Sequence, residues 1–151
     1  MDNDAVTRVR KLSQQYAYTS LKMHEAVAAK AGLSGTDHKY LGFLLEKGKM
    51  TAGELAELTG LTTGAVTGLI DRFEKKKLVQ RKFDENDRRK VFIEPNTKNI
   101  MTLFKPLYQE FRDNSEQLIA SFPARELKVL EAYFSKACEI MEKAAHTLSK
   151  K

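Results

Sequence analysis

The sequence has one cysteine, Cys138, so it can form no internal disulfide, and a reducing compartment is expected for it, the cytoplasm. It has no tryptophan and only three prolines, and no apolar run approaches the ~20 residues needed to cross a bilayer. The opening Met1-Asp2-Asn3-Asp4 is acidic, unlike the cationic start of a secretory leader. There is no glycine-rich phosphate loop, nucleophile motif or paired carboxylate in an apolar setting, so an enzyme is not expected. His24, His38 and His146 are scattered, without a second ligand at metal spacing, and neither a metal nor another cofactor is expected. With 151 residues the chain fits one domain, or one small module held between dimerising ends. A chain of this size buries about two-thirds of its unfolded surface without any crosslink.

What the sequence does have is positive charge in one place. The net charge of +6 says little by itself, but its distribution says more. Residues 72–90 hold Arg72, Lys75, Lys76, Lys77, Arg81, Lys82, Arg88, Arg89 and Lys90 against Glu74, Asp84, Glu85 and Asp87. A phosphate-binding surface requires such concentration; a solvated lysine face is the plainer alternative.

Apolar spacing predicts a first helix over 4–31 carrying Val6, Val9, Leu12, Tyr16, Met23 and Val27. Gly32 stops it, and Ser34, three residues before Asp37, caps a second helix ending at Gly48. Thr51 and Glu54 have the spacing of a capping box. The short helix that follows ends at Gly60, which can take the positive φ of a tight turn. Thr62 or Thr63 caps the next helix, with Val66, Leu69, Ile70 and Phe73 on its inner face. Two strands, 78–83 and 90–93, flank a charged hairpin tip over 84–89, with Pro95 breaking the second. Asn96 caps another helix, and a last one places Leu127, Leu130, Phe134, Ala137, Met141, Ala144 and Leu148 at alternating steps of three and four. That seam suits a partner chain, or else the preceding helix of the same chain. Cys138, beside it, reads as a buried small apolar residue.

Four offsets then make a helix-turn-helix: small Ala56, Gly60 at the turn, and Val66 and Leu69 packing the second helix on the first. Its outer face comprises Thr62, Thr63, Gly64, Thr67, Gly68 and Asp71. Threonine hydroxyls can bond base edges or phosphates, and their methyls can meet a thymine methyl. Gly64 and Gly68 permit close approach to a groove, although Gly64 near a helix start is also simply tolerated. Thr51 at the preceding cap and the basic Arg72, Lys75 and Arg81 complete a candidate duplex-DNA surface with the hairpin tip. There Arg88 and Arg89 can reach a narrow minor groove, while Asp87 either braces an arginine or is a solvated turn charge.

The run 33–90 resembles the MarR (multiple antibiotic resistance regulator) family. The telling segments are Thr51-Ala52-Gly53-Glu54-Leu55-Ala56, Leu61-Thr62-Thr63-Gly64-Ala65-Val66-Thr67, Leu69-Ile70-Asp71-Arg72-Phe73-Glu74-Lys75 and Asp84-Glu85-Asn86-Asp87-Arg88-Arg89-Lys90. The resemblance implies a mainly α fold, a winged helix-turn-helix with a two-stranded wing and long terminal dimerisation helices. It divides the chain into a dimerisation region, 1–32 and 97–151, and a DNA-binding domain, 33–96. It implies a homodimeric, sequence-specific transcription regulator, a repressor released by a small phenolic or amphipathic effector. Asp87 and Arg89 match the family's Asp-x-Arg element in the wing. Two positions depart: 95–99 lack the usual Leu-Thr-x-x-Gly, and Gly68 stands where arginine is common.

Tyr16, Met23, Tyr40 and Phe43 are candidates to line an effector pocket, or are ordinary core. Leu127, Leu130, Phe134, Met141 and Leu148 are the expected dimer contacts. The oxidation-sensing cysteine that some members carry near the first helix is missing. The competing reading is a winged-helix module that binds an acidic protein partner.

Overall fold

Side-chain caps set where the helices begin. In the computed structural model, which describes residues 3–150, α1 (Asn3–Lys30) ends at Gly32 with φ +77°. The Ser34 hydroxyl then accepts from the Asp37 amide at 3.0 Å and opens α2 (Gly35–Lys47). After the short β1 (Met50–Thr51), the Thr51 hydroxyl and the Glu54 carboxylate accept from each other's backbone amides at 3.1 and 3.0 Å. This is the expected capping box, and it starts α3 (Ala52–Thr59). Gly60, at φ +72°, makes the turn, and Thr62 caps α4 (Thr63–Lys75) through the Ala65 amide at 3.2 Å.

Lys77 ends α4 in the left-handed region, φ +58°, and the Leu78 amide returns to the Phe73 carbonyl. The reversal sends β2 (Val79–Phe83) back beside the helix it follows. β3 (Val91–Pro95) pairs antiparallel with it, Arg81 opposite Ile93 and Phe83 opposite Val91. Asn96 bonds the Asn99 amide at 3.1 Å as α5 (Thr97–Ala120) begins, and Pro123 is the cap residue of α6 (Ala124–Ser149).

Two expectations for the sheet are corrected. It has three strands among the described residues, in the order β1-β3-β2, because Met50 and Thr51 pair with Ile93 and Phe92. Two residues are too few to show a period of two, so β1 left no pattern to read. Pro95 does not break β3 but closes it, opposite Val79. At that point β1 has already ended, so the proline faces an open side of the strand where no amide is needed.

The core of the winged part gathers Leu41 and Leu44 of α2, Leu55 of α3, and Val66, Leu69, Ile70 and Phe73 of α4. Ile93 of β3, Ile100 and Phe104 of α5, and Val27 and Ala28 of α1 complete it. Each fully buried aliphatic or phenylalanine side chain contributes about 1.5–3 kcal/mol, an upper figure because the unfolded chain is itself partly collapsed. The inner face expected for α4 is buried without exception.

The chain divides into two compact units that meet between Tyr108 and Gln109, inside α5. The first holds α1 to β3 and the start of α5. The second holds the rest of α5 and α6. Pro106 lies in the interior of α5, where its missing N–H leaves the Thr102 carbonyl without its helical donor. No residue of α6 is buried, and Phe134, Met141 and Leu148 are exposed. Cys138 is exposed as well, which corrects its reading as a buried residue within the single chain.

Candidate nucleic-acid interface

The four residues that hold α4 down leave the opposite stripe open. Thr62, Thr63, Gly64, Thr67, Asp71 and Lys75 are exposed, and Gly68 is half-exposed. The Thr67 hydroxyl donates to the Thr63 carbonyl at 3.0 Å, which leaves its oxygen free to accept from outside. A Cβ on Gly64 would meet nothing within 4 Å, so packing within the chain does not require glycine there. Thr51, at the start of α3, is half-buried by its capping role.

Three residues expected on the DNA surface are engaged inside the chain. The Arg72 guanidinium grips Asp37 of α2 with two bonds, Nε at 2.8 Å and Nη2 at 3.0 Å. Asp37 is the one buried charged side chain among the described residues, and this fork satisfies both its oxygens. On the other flank Arg81 of β2 donates to Asp71 at 2.7 Å and to Glu74 at 2.5 Å. The bond to Asp37 raises the Arg72 pKa against a smaller opposing burial effect, and the bond to Asp71 does the same for Arg81. Both stay fully charged. Helix α4 is thus tied to α2 on one side and to β2 on the other.

The wing tip is folded by its own carboxylates. Asp84 accepts from the Asn86 amide at 2.8 Å, and Asp87 from the Arg89 amide at 3.0 Å. Asp87 Oδ1 also lies 3.3 Å from Arg89 Nε, so the bracing role is the one the structure shows. The Arg89 side chain is still 94% exposed, and Arg88 is exposed beside it. Phe83, one residue from the tip and 68% exposed, was not singled out from sequence, though an aromatic amid cations is a signal that could have found it.

Lys75 lines a cleft of 660 Å³ with Gly32, Leu33, Ser34, Asp37, Arg72 and Lys76. The four candidate effector residues lie elsewhere. Tyr40 and Phe43, both half-buried, set their rings 6.0 Å apart with Lys39 Nζ within 6 Å of each. Met23 is half-buried, and Tyr16 is 63% exposed. Two histidines that look scattered in sequence come together: His24 Nδ1 lies 2.6 Å from the Tyr108 hydroxyl, and His38 Nε2 lies 3.1 Å from the same oxygen. Those contacts span 84 and 70 residues, and no local pattern carries them. Among the described residues no group of three or more His, Cys, Asp or Glu could hold a metal, and no helix is long and apolar enough to cross a membrane.

This arrangement of capped helix pair, wing and basic tip is that of a winged helix-turn-helix protein. The MarR family model matches residues 31–90. The helix-turn-helix transcriptional regulator YcgE of Bacillus subtilis is 40% identical over 151 aligned residues, covering 98% of this chain and 93% of that one. A MarR family protein from Bacillus stearothermophilus superposes with a TM-score of 0.68 at 26% identity, over 94% of this chain and 99% of the other. An S. aureus MepR variant, solved bound to an oligodeoxyribonucleotide, shares the fold with a TM-score of 0.62 at 19% identity, over 88% and 97%. The chain belongs to the MarR family. It is a DNA-binding transcription regulator, as its curated relatives are named transcriptional regulators.

Proposed function

We propose that this regulator reads duplex DNA by laying the open stripe of α4 in the major groove and the wing tip in the adjoining minor groove. Thr62, Thr63, Gly64, Thr67 and Gly68 meet the groove. Thr51 and Lys75 hold phosphates, and Arg88 and Arg89 enter the minor groove with Asp87 steadying the second. Asp71, Arg72 and Arg81 act chiefly as braces that fix the angle between helix and wing. The observation that carries this reading is the pair of exposed tip arginines on a turn ordered by Asp84 and Asp87. A titration by fluorescence anisotropy against duplexes selected from a random pool tests it. With ~6–10 phosphate contacts, affinity falls about 10³–10⁵-fold between roughly 50 and 200 mM salt. A flat salt response rules the reading out.

The working unit is a homodimer in the cytoplasm, joined through residues 1–32 and 97–151, with Leu127, Leu130, Phe134, Met141 and Leu148 in the seam. The support for this is an amphipathic 26-residue helix with no residue buried in the single chain. It acts as a repressor that a small phenolic or amphipathic effector releases. The aromatic pair Tyr40–Phe43 beneath the Lys39 ammonium suits an aromatic anion, and Met23 and Tyr16 of α1 are the further candidates to line its site. Calorimetry with a panel of phenolic acids tests this part: heat of binding present in wild type and lost in Tyr40→Ala supports it. No binding and no shift in DNA affinity across the panel removes it.

A further inference from the structure

His24, Tyr108 and His38 bring three helices to one oxygen atom. His24 stands on α1, His38 on α2 and Tyr108 on α5, and all three belong to the first compact unit. Their side chains are half-buried, the two imidazole centroids are 5.9 Å apart, and the Phe104 ring meets His38 edge-on at 5.0 Å. A tyrosine hydroxyl has one proton to give and lone pairs to receive. With both imidazoles neutral, one ring nitrogen accepts a hydrogen bond from the hydroxyl and the other donates its N–H to the same oxygen. The link is complete only in that state. Once the accepting imidazole is protonated, both rings donate to the one oxygen, the hydroxyl proton loses its partner, and a second protonation sets two cations side by side.

We propose that the His24–Tyr108–His38 cluster is a proton-responsive link that controls how firmly the recognition helix is held, so that acidification lowers DNA affinity. The connection to DNA is short. The residue before His38 is Asp37, which faces α4 and grips Arg72 with both oxygens. A change in how His38 holds α2 therefore reaches α4 through one helical step and one ion pair. Like any such coupling, it acts only through a difference in proton affinity between the two arrangements.

Glu25 on α1, Lys39 on α2 and Lys105 on α5, the charged neighbours of the three in sequence, are exposed, and Asp37 is bound to Arg72. Burial, and then the neighbouring His24, push the His38 pKa below its ordinary value. Burial likewise pushes the Tyr108 hydroxyl up, so it remains a proton donor throughout. For a base with a lowered folded pKa, the unfolded or loosened state takes up the proton first. The link therefore keeps its full strength above the ordinary histidine range. It weakens as pH falls through that range toward the lowered value.

The test uses the full-length protein, imidazole NMR, and anisotropy with a duplex selected from a random pool. Asn at 24 and Gln at 38 place amide groups where Nδ1 and Nε2 stand, so His24→Asn and His38→Gln keep bonds to Tyr108 without titrating. From about pH 7.5 to about 5.5, wild type is expected to lose about five-fold or more in affinity beyond whatever the double variant loses. Tyr108→Phe flattens the profile in the same way. His24→Asn raises the His38 midpoint toward its ordinary value. Identical pH profiles for wild type and the double variant overturn the proposal, as does a His38 midpoint that stays put in His24→Asn. Failure to bind any duplex at any pH would strike at the DNA contacts, while the His38 midpoint still tests the link.

Discussion

Two arginines of similar appearance in the sequence, Arg81 and Arg89, have opposite fates because of the carboxylates around them. Arg81 spends its donors on Asp71 and Glu74, whereas Arg89 touches Asp87 at one nitrogen and keeps a side chain 94% exposed. Only the second has a guanidinium edge to offer a groove. Arg89→Ala is therefore expected to weaken specific DNA binding by about 1–3 kcal/mol, and Arg88→Ala by a similar or lesser amount. Thermal melting should stay within about 0.5 kcal/mol of wild type, since an exposed tip contributes little to the core. Anisotropy and calorimetric melting on the same samples check both halves, and operator binding as tight as wild type would discard the minor-groove role. At this scale the sequence was legible where partners are close in the chain. Asp87 and Arg89 are two apart, and Thr51 and Glu54 three. Asp37 was recognised only as a residue in the first turn of a helix, because Arg72 is 35 positions away and nothing local announces the pairing.

Helix starts were legible for a related reason: caps are local chemistry. Ser34, Thr51, Thr62 and Asn96 each accept from an amide three residues on. The inner face of α4 follows equally from its 3.6-residue period. The sheet was harder, since β1 is two residues long and owes its existence to β3. Thr51 serves both elements: it closes β1 and caps α3, the helix that packs beneath α4. Thr51→Ala is expected to cost about 1 kcal/mol, typical of a lost N-cap. Urea unfolding should show a lower midpoint with an unchanged slope. An unaltered midpoint would mean that pairing with Phe92 and Ile93 holds α3 in place without the cap.

For the whole molecule the deciding element is the last helix. A seam of alternating threes and fours could be read from sequence, but what it faces could not, because periodicity describes one surface and is silent about the other. In the single chain Leu148 is 85% exposed and Met141 61%, a large apolar area to leave in water. Removing the chain from Leu127 onward is expected to give a monomer that binds DNA poorly. A two-fold dimer is what engages half-sites about 34–36 Å apart. Light scattering that still finds a stable dimer would move the interface to another surface. The functional division expected at 32 and 97 does not follow the compact units, since α1 and the start of α5 group with the winged elements in the first unit.

The order of the small sheet also governs what happens when many copies crowd together. The strand that both others share, β3, lies in the middle. One rim is β1, which offers two residues, too few to recruit a foreign strand. The other is β2, only five residues long, whose Arg81 and Lys82 hold their charges in ion pairs with Asp71, Glu74 and Glu94 that a foreign strand would have to displace. Strand-by-strand polymerisation thus finds no adequate template at either rim. A wing that must stay exposed to do its work offers little edge on which amyloid-like growth could start.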